Sequence, residues 1–203
     1  MPTTSRRLPW IPQAIEAWRN QSYPPSSREL LAVSEDDLAS AIPDDVRFLR
    51  LNGAYTIGTK RNVACENASG EIICHWDDDN WSHPLRIEEQ VAALNGHDLT
   101  GYCSLPFVDL HTGQVWRWSG HNEICGTSMC YTRQHWQSQP FKDIQIAEDV
   151  TFYKMTQNKT TVPGDTRMVA RFHSDSVTRS TAKFAGGGWS AGTWADLPEG
   201  FPR

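Results

Sequence analysis

No stretch of this chain is apolar for long enough to cross a membrane, and its N-terminus has no apolar signal-peptide core. Phosphate loops of the GxxxxGK type, internal repeats and long low-complexity runs are also missing. The five cysteines (Cys65, Cys74, Cys103, Cys125, Cys130) are odd in number, scattered, and lack a CxxC pair. They read as reduced thiols in a cytoplasmic protein. Net positive charge is absent: a balance of −5 gives no bulk electrostatic support for non-specific nucleic-acid binding. What remains is a chain of 203 residues, 38% hydrophobic, which suits a single soluble domain with a proper core. Nine tryptophans are many for this length; most are expected in the core, and some as walls of a site.

The most informative stretch is Gly70 to Gln90, GEIICHWDDDNWSHPLRIEEQ. It reads as a short apolar strand from Glu71 to Trp76, then Asp77, Asp78, Asp79 and Asn80, then a helix entered near Pro84. Three carboxylates packed this closely repel one another and raise one another's pKa unless a cation sits among them. A hard divalent ion, partly hydrated and shared with a substrate diphosphate, is the usual solution. Trp76 and Trp81 flank the run and are expected as walls of the site, whereas His75 and Met129 are expected to pack in the core.

Upstream, helix and strand alternate. A helix is expected from about Pro12 to Asn20, a strand over Arg28 to Val33, another over Val46 to Leu51, and a helix from Gly58 to Cys65 closed by Ser69-Gly70. That alternation predicts an α/β fold with a mostly parallel sheet and helices on both faces. Ligands in such sheets bind at the carboxyl ends of the strands, where Thr3, Glu35, Arg61 and Asp77 fall. Downstream, Leu99 to Leu110 and Gln114 to Trp118 read as two strands joined by His111-Thr112-Gly113. A strand is expected over Gly126 to Arg133 and a helix over Val150 to Met155 after the acidic pair Glu148-Asp149. The segment Ala185 to Gly192 is glycine-rich and reads as a mobile tail, with closure over a diphosphate as a possible use.

Several of these segments, taken in order, resemble family 2 glycosyltransferases of the GT-A fold. They are Pro-Thr with Arg6-Arg7, the Gln-x-Tyr-Pro turn (Gln21, Tyr23, Pro24), Glu-Leu before an acidic corner, Gly-x-Lys-Arg-Asn, and the Asp-X-Asp at Asp77 to Asp79. Beyond them come Gly-Thr-x-x-x-Tyr-x-Arg from Gly126, then Trp136, Pro140-Phe141 and Glu148-Asp149. The resemblance spans most of residues 2–176. It implies a Rossmann-like nucleotide-sugar-binding half over residues 1–98, a smaller mixed acceptor half over 99–183, and the flexible tail over 184–203. It implies a metal-dependent, inverting transfer from a nucleotide sugar, most simply a UDP-sugar, with Mn2+ or Mg2+ as cofactor.

Under the resemblance, Thr3, Glu35, Asp36, Arg61, Asp77 and Asp78 form the nucleotide-sugar set. Asp79 and His173 hold the metal, Asp149 is the general base, and Glu148 positions it or binds acceptor. Two departures stand out. Ser34-Glu35 replaces an Asp-Asp at the end of the second strand, so Asp36 is an alternative to Glu35. The strand that precedes Pro-Thr in the family is not found ahead of Met1, which suggests a misplaced start or a shortened chain. The acceptor stays open between a saccharide, a protein glycan and a hydroxymethylated base in phage-type DNA. A catalytically inactive nucleotide-sugar-binding module is the alternative, and a metal-dependent nucleotidyltransferase is weaker because Thr3-Thr4-Ser5-Arg6-Arg7 has no glycine.

Overall fold

The computed structural model describes residues 1–174, 176 and 187–202. The first helix, α1 (Ile11–Arg19), buries Ile11, Ala14, Ile15 and Trp18, spaced to share one face. Pro12 sits in its first turn, where its missing N–H does no harm. Strand β1 (Leu31–Ser34) is buried along its whole length and pairs in parallel with β2 (Arg47–Arg50). On its other side run Met1 to Thr3, where Val33 N donates to Met1 O at 2.9 Å and Thr3 N to Val33 O at 2.9 Å. Pro2 and Val33 form a parallel bridge there. Helix α2 (Ile57–Asn67) is capped by Thr56, whose hydroxyl accepts from Thr59 N at 3.2 Å. Strand β3 (Ile72–Cys74), the two-residue β4 (Trp81–Ser82) and α3 (Arg86–Leu94) complete the first half.

The second half contributes β5 (Leu99–Asp109), β6 (Val115–Ser119), β7 (Cys130–Thr132), α4 (Arg133–Ser138) and α5 (Glu148–Met155). Strands β8 (Lys159–Pro163), β9 (Met168–Phe172) and β10 (Trp189–Gly192) follow. The parallel pairing expected upstream forms between Met1 to Thr3, β1 and β2, but it does not extend into one mostly parallel sheet. Among the described residues, strands β1 and β2 make their own two-stranded sheet, and the other eight strands form one mixed sheet around β5. Within it β8 and β9 run parallel to β5, while β6 and β7 are antiparallel to it. Strand β3 joins this sheet by antiparallel pairing with β7. The cause is connection length. The tight turn at His111 to Gly113 permits only an antiparallel return, and parallel pairing needs a long crossover. The expected strand over Gly126 to Arg133 is also shorter than its pattern, because Gly126–Ser128 wind as a 3-10 turn before β7.

The glycine-rich tail departs from expectation as well; Ala185 and Gly186 lie outside the described residues. From Gly187 to Pro202 the chain is built into the fold, and β10 pairs antiparallel with β6. Gly188 has φ +88°, and a Cβ there would strike Ser119 O. Glycine is used at this point for close approach to β6, and Ser119 N donates to Gly188 O at 2.8 Å. Trp189 then packs edge-on against Phe107. No helix among the described residues is long and apolar enough to cross a membrane.

Candidate functional site

A cavity of about 1200 Å3 opens where the first half meets the mixed sheet. Thr3, Glu35, Asp36, Arg61, Asp77, Asp78, Asp79, Glu148 and Asp149 all line it. His173 reaches it through Asp79, its Nε2 lying 3.0 Å from Asp79 Oδ2. Residues far apart in sequence therefore share one chamber. The loop that presents the aspartates is braced from behind by Arg86. That guanidinium is buried, donates to His75 O at 2.7 Å, to Ser82 Oγ at 2.9 Å and to Thr127 O at 3.2 Å, and lies over the Trp76 ring. Fully engaged, such a charge fixes the loop instead of destabilising it.

The three aspartates do different things. Asp77 accepts from Thr127 Oγ1 and from Asn80 Nδ2, so its carboxylate is tied into the wall. Asp78 accepts from Thr3 Oγ1 at 2.7 Å. Burial, with Asp79 beside it, pushes Asp78 up to about 7 against the opposing pull of Arg7 and Thr3. Burial would raise Asp79 too, but its contacts with His173 and Arg7 outweigh that and hold it below the usual carboxylate range. The Arg7 Nη1 atom lies 2.6 Å from Asp79 Oδ2, 2.5 Å from His173 Nε2 and 3.7 Å from Asp78 Oδ1. A carboxylate oxygen and an imidazole nitrogen thus converge on one point, and a cation already stands there. No group of three or more metal-ligating side chains converges among the described residues. The donor set fits a divalent ion that takes its remaining ligands from a diphosphate and water.

At the end of the cavity next to β1 the acidic corner is held by its neighbours. Glu35 pairs with Lys60 at 2.6 Å and accepts from Tyr55 N at 3.1 Å. Asp36 accepts from Ser5 N at 2.6 Å. Ser34, in the place of the expected acid, is fully buried, and its hydroxyl accepts from Asp36 N at 3.1 Å.

At the other end, Glu148 and Asp149 open α5. Ala147, just before them, has φ +65°, a left-handed conformation that costs a non-glycine residue energy and sharply turns the chain into the helix. Glu148 is buried against Arg61, which donates to its Oε1 at 3.0 Å. Burial raises the Glu148 pKa, with Arg61 working against it. Asp149 Oδ1 accepts from Val150 N at 2.7 Å, while Oδ2 sits over Gly126, where any Cβ would collide with it. Glycine at 126 is what lets this carboxylate face the cavity.

Behind Gly126 lies a buried chain of polar contacts. His75 Nδ1 lies 2.7 Å from Gly126 O and so carries the donated proton. Its Nε2 is 3.3 Å from Tyr131 Oη, which is 3.3 Å from Cys65 Sγ. His75 is held well below its ordinary pKa, first by burial and then by Arg61. As pH falls below about 6.5 the unfolded chain takes up a proton that folded His75 refuses, so stability falls. The expected slope from this residue is about 1.4 kcal/mol per pH unit below that value. Asp78 acts in the opposite sense, because its raised pKa makes the folded state bind the proton first. Denaturant melts of wild type and His75→Asn at pH 7.5, 6.5 and 5.5 separate the two. The variant should lose less stability on acidification, and equal slopes would remove His75 as the cause.

Two expected walls are not walls. Trp76 is buried, donating from Nε1 to Ala14 O at 3.0 Å, and Trp81 packs against Phe201. The cavity is instead lined by Trp118, Trp189, Phe107 and Phe172 from β6, β10, β5 and β9. Arg7, Lys60 and Arg171 also line it. Arg7 and Lys60 belong to segments that carry the resemblance but were given no place in the nucleotide-sugar or metal set, and Arg171 had no signal beyond its nearness to His173.

Comparison with known proteins adds the following. Glycosyl transferase family 2 matches residues 1–159. Among solved structures, S. aureus TarS 1-349 in complex with UDP-GlcNAc is similar at 13% identity and a TM-score of 0.65, covering 86% of this chain and 58% of that one. TarS 1-349 in complex with UDP is similar at 15% identity and a TM-score of 0.61, covering 84% of this chain and 58% of that one. The mannosyltransferase PcManGT from Pyrobaculum calidifontis, in complex with GDP-Man and Mn2+, is similar at 15% identity and a TM-score of 0.61, covering 84% and 54%. The chain thus spans little more than half the length of the proteins it resembles, and the likeness at these identities concerns the fold. No curated protein matches it in sequence.

Proposed function

Because the chain belongs to glycosyl transferase family 2, we propose that it moves a sugar from a nucleoside diphosphate donor, most simply a UDP-sugar, to an acceptor hydroxyl with inversion. The observation that supports this best is the single cavity shared by the aspartate run, His173's partner Asp79, and the acid pair of α5. In this reading Thr3, Asp36 and Lys60 face the nucleoside, with Glu35 orienting Lys60. Arg61 crosses from Asp77 to Glu148 and sets the spacing between the two ends. Arg7 and Arg171 offer positive charge to the diphosphate.

Asp79 and His173 would hold Mn2+ or Mg2+, which when bound neutralises charge building on the departing diphosphate. Asp149 takes the proton from the acceptor hydroxyl as its oxygen bonds to the anomeric carbon. The bond from that carbon to the phosphate oxygen breaks, and its electron pair leaves with the diphosphate. Glu148, buried against Arg61, keeps the N-terminus of α5 in place. A panel of UDP- and GDP-sugars with Mn2+ should show release of one nucleoside diphosphate, by slow hydrolysis alone and faster with acceptor. Binding of the nucleotide sugar without any release would leave a binding module in place of an enzyme.

A further inference from the structure

Cysteine offers a second chemistry in this chain, independent of sugar transfer. Strand β3 meets β7 in antiparallel register, with Cys74 directly opposite Cys130. The ladder shows what kind of pair this is. Arg133 N donates to Glu71 O and His75 N to Met129 O, both at 2.7 Å, so 71 with 133 and 75 with 129 are hydrogen-bonded pairs. Hydrogen-bonded and non-hydrogen-bonded pairs alternate along such a ladder, which makes Cys74 and Cys130 a non-hydrogen-bonded pair. Cα atoms at such a pair stand about 4.5 Å apart, within the roughly 4.4–6.8 Å that a disulfide spans. The two sulfurs are already 3.1 Å apart. We propose that Cys74 and Cys130 are a site of reversible oxidation, where a peroxide closes a cross-strand disulfide between β3 and β7.

The two thiols divide the work. Cys130 is fully buried, whereas Cys74 is half-buried and open to a small oxidant. The Cys130 thiol, helped by the Arg86 guanidinium, draws Cys74 down against the cost of burial. Burial, and then Cys74, holds Cys130 well above its usual range. Cys74 is therefore the thiolate that reacts first. Its sulfur attacks the peroxide, the O–O bond breaks, and a sulfenic acid forms as hydroxide leaves and takes up a proton. The Cys130 sulfur then attacks the Cys74 sulfur, the S–O bond breaks, and the hydroxyl leaves as water with the Cys130 proton. Two thiols are oxidised, and one peroxide is reduced to two waters.

Both strands lead to the cavity. Strand β3 runs through His75 and Trp76 into Asp77, and β7 follows the Gly126–Ser128 turn. Asp77 accepts from Thr127 Oγ1, so the bridge would tie together the two strands that carry this contact. The sulfurs need approach by only about 1 Å more to reach disulfide length, and closure leaves the aspartate run where it stands. The bridge is thus a staple that keeps this part of the fold closed under oxidising conditions.

The test uses the full chain and needs neither nucleotide nor turnover. Peroxide in small molar excess should leave the folded protein two hydrogens lighter, with two of its five thiols lost. Peptide mapping should join Cys74 to Cys130. The melting temperature should rise by about 5 °C or more, because a bridge between residues 56 positions apart constrains the unfolded chain. Dithiothreitol should reverse the mass and the melting temperature together, and Cys74→Ala and Cys130→Ala should each abolish the gain. A bridge formed by other cysteines in preference to these would overturn the proposal, as would sulfinic acid at Cys74 without a bridge. So would a bridge that lowers the melting temperature, or a gain that persists in either folded variant. Should a variant fail to fold, the peptide map and melting temperature of wild type decide.

Discussion

Asp149→Asn is expected to bind nucleotide sugar as wild type does and to transfer at about one hundredth to one ten-thousandth of its rate, the range for loss of a general base. The reason lies in what the substitution keeps. Oδ1 of Asp149 accepts from Val150 N, and an asparagine oxygen can do the same. The second side-chain atom stays over Gly126, so its placement survives while its basicity does not. The contacts proposed for the donor side, Thr3 to Asp78 and Arg7 to Asp79, do not involve residue 149. Calorimetry with the nucleoside diphosphate and a transfer assay check the two halves of the expectation. Glu148 is the natural competitor for the role, but it is buried, tied to Arg61 at 3.0 Å, and sits in the wall with little freedom to reach an acceptor. Transfer near the wild-type rate would take Asp149 out of the mechanism and bring Glu148 back. Loss of donor binding in a folded variant would make the pair structural.

Why the acid pair at the start of α5 was legible in the sequence while the aromatic wall was not is a matter of range. Glu148-Asp149 announces itself locally: two acids at the start of a helical run, favoured there by the helix dipole. The aspartate run is local too, as are α1, α2 and the β5–β6 hairpin, whose boundaries fall within a few residues of their patterns. Trp118 and Trp189 carry no such signal. They become neighbours only because β10 returns to the edge of β6, and that return depends on close approach at Gly188. A glycine run looks the same in sequence whether it loosens a tail or lets two strands meet. Trp76 and Trp81 were suggested by adjacency to the aspartates, yet the side chains next to a turn point in several directions. Arg86, four residues beyond Ser82 on α3, claims the Trp76 face instead.

Sheet direction was misread for a related reason. Helix and strand alternation upstream of Asp77 suggests parallel crossovers, but it does not say which strand becomes the neighbour of β3. That neighbour is β7, reached from the far side of the β5–β6 hairpin and therefore antiparallel. The crevice at the strand ends was nonetheless placed well. Thr3, Glu35, Arg61 and Asp77 share the cavity because each follows a strand or opens a helix at the same edge, whichever way the remaining strands run.

Mn2+ binding should respond in opposite directions to Arg7→Gln and Asp79→Ala. In this structure the guanidinium of Arg7 stands between Asp79 Oδ2 and His173 Nε2, where a divalent ion held by those two atoms would also have to stand. Two cations cannot share that point, so the ion must displace Arg7, and the charge-assisted bonds it breaks oppose binding. A bound diphosphate offers the displaced Arg7 guanidinium a strong new partner. Wild type should therefore bind Mn2+ weakly alone and tightly with UDP, each ligand favouring the other. Arg7→Gln removes the competing charge and should strengthen Mn2+ binding without nucleotide by about tenfold or more, the scale of one charged hydrogen bond. It should also weaken the coupling, because the displaced partner of the diphosphate is gone. Asp79→Ala removes the one carboxylate that both cations use, so Mn2+ should no longer improve UDP affinity, and metal-dependent transfer should be lost. The electron paramagnetic resonance signal of free Mn2+, followed with and without UDP, reads the metal directly and does not depend on turnover. Equal Mn2+ affinities for wild type and Arg7→Gln would show that Arg7 does not guard the site. Unchanged UDP binding with Mn2+ in Asp79→Ala would place the metal elsewhere.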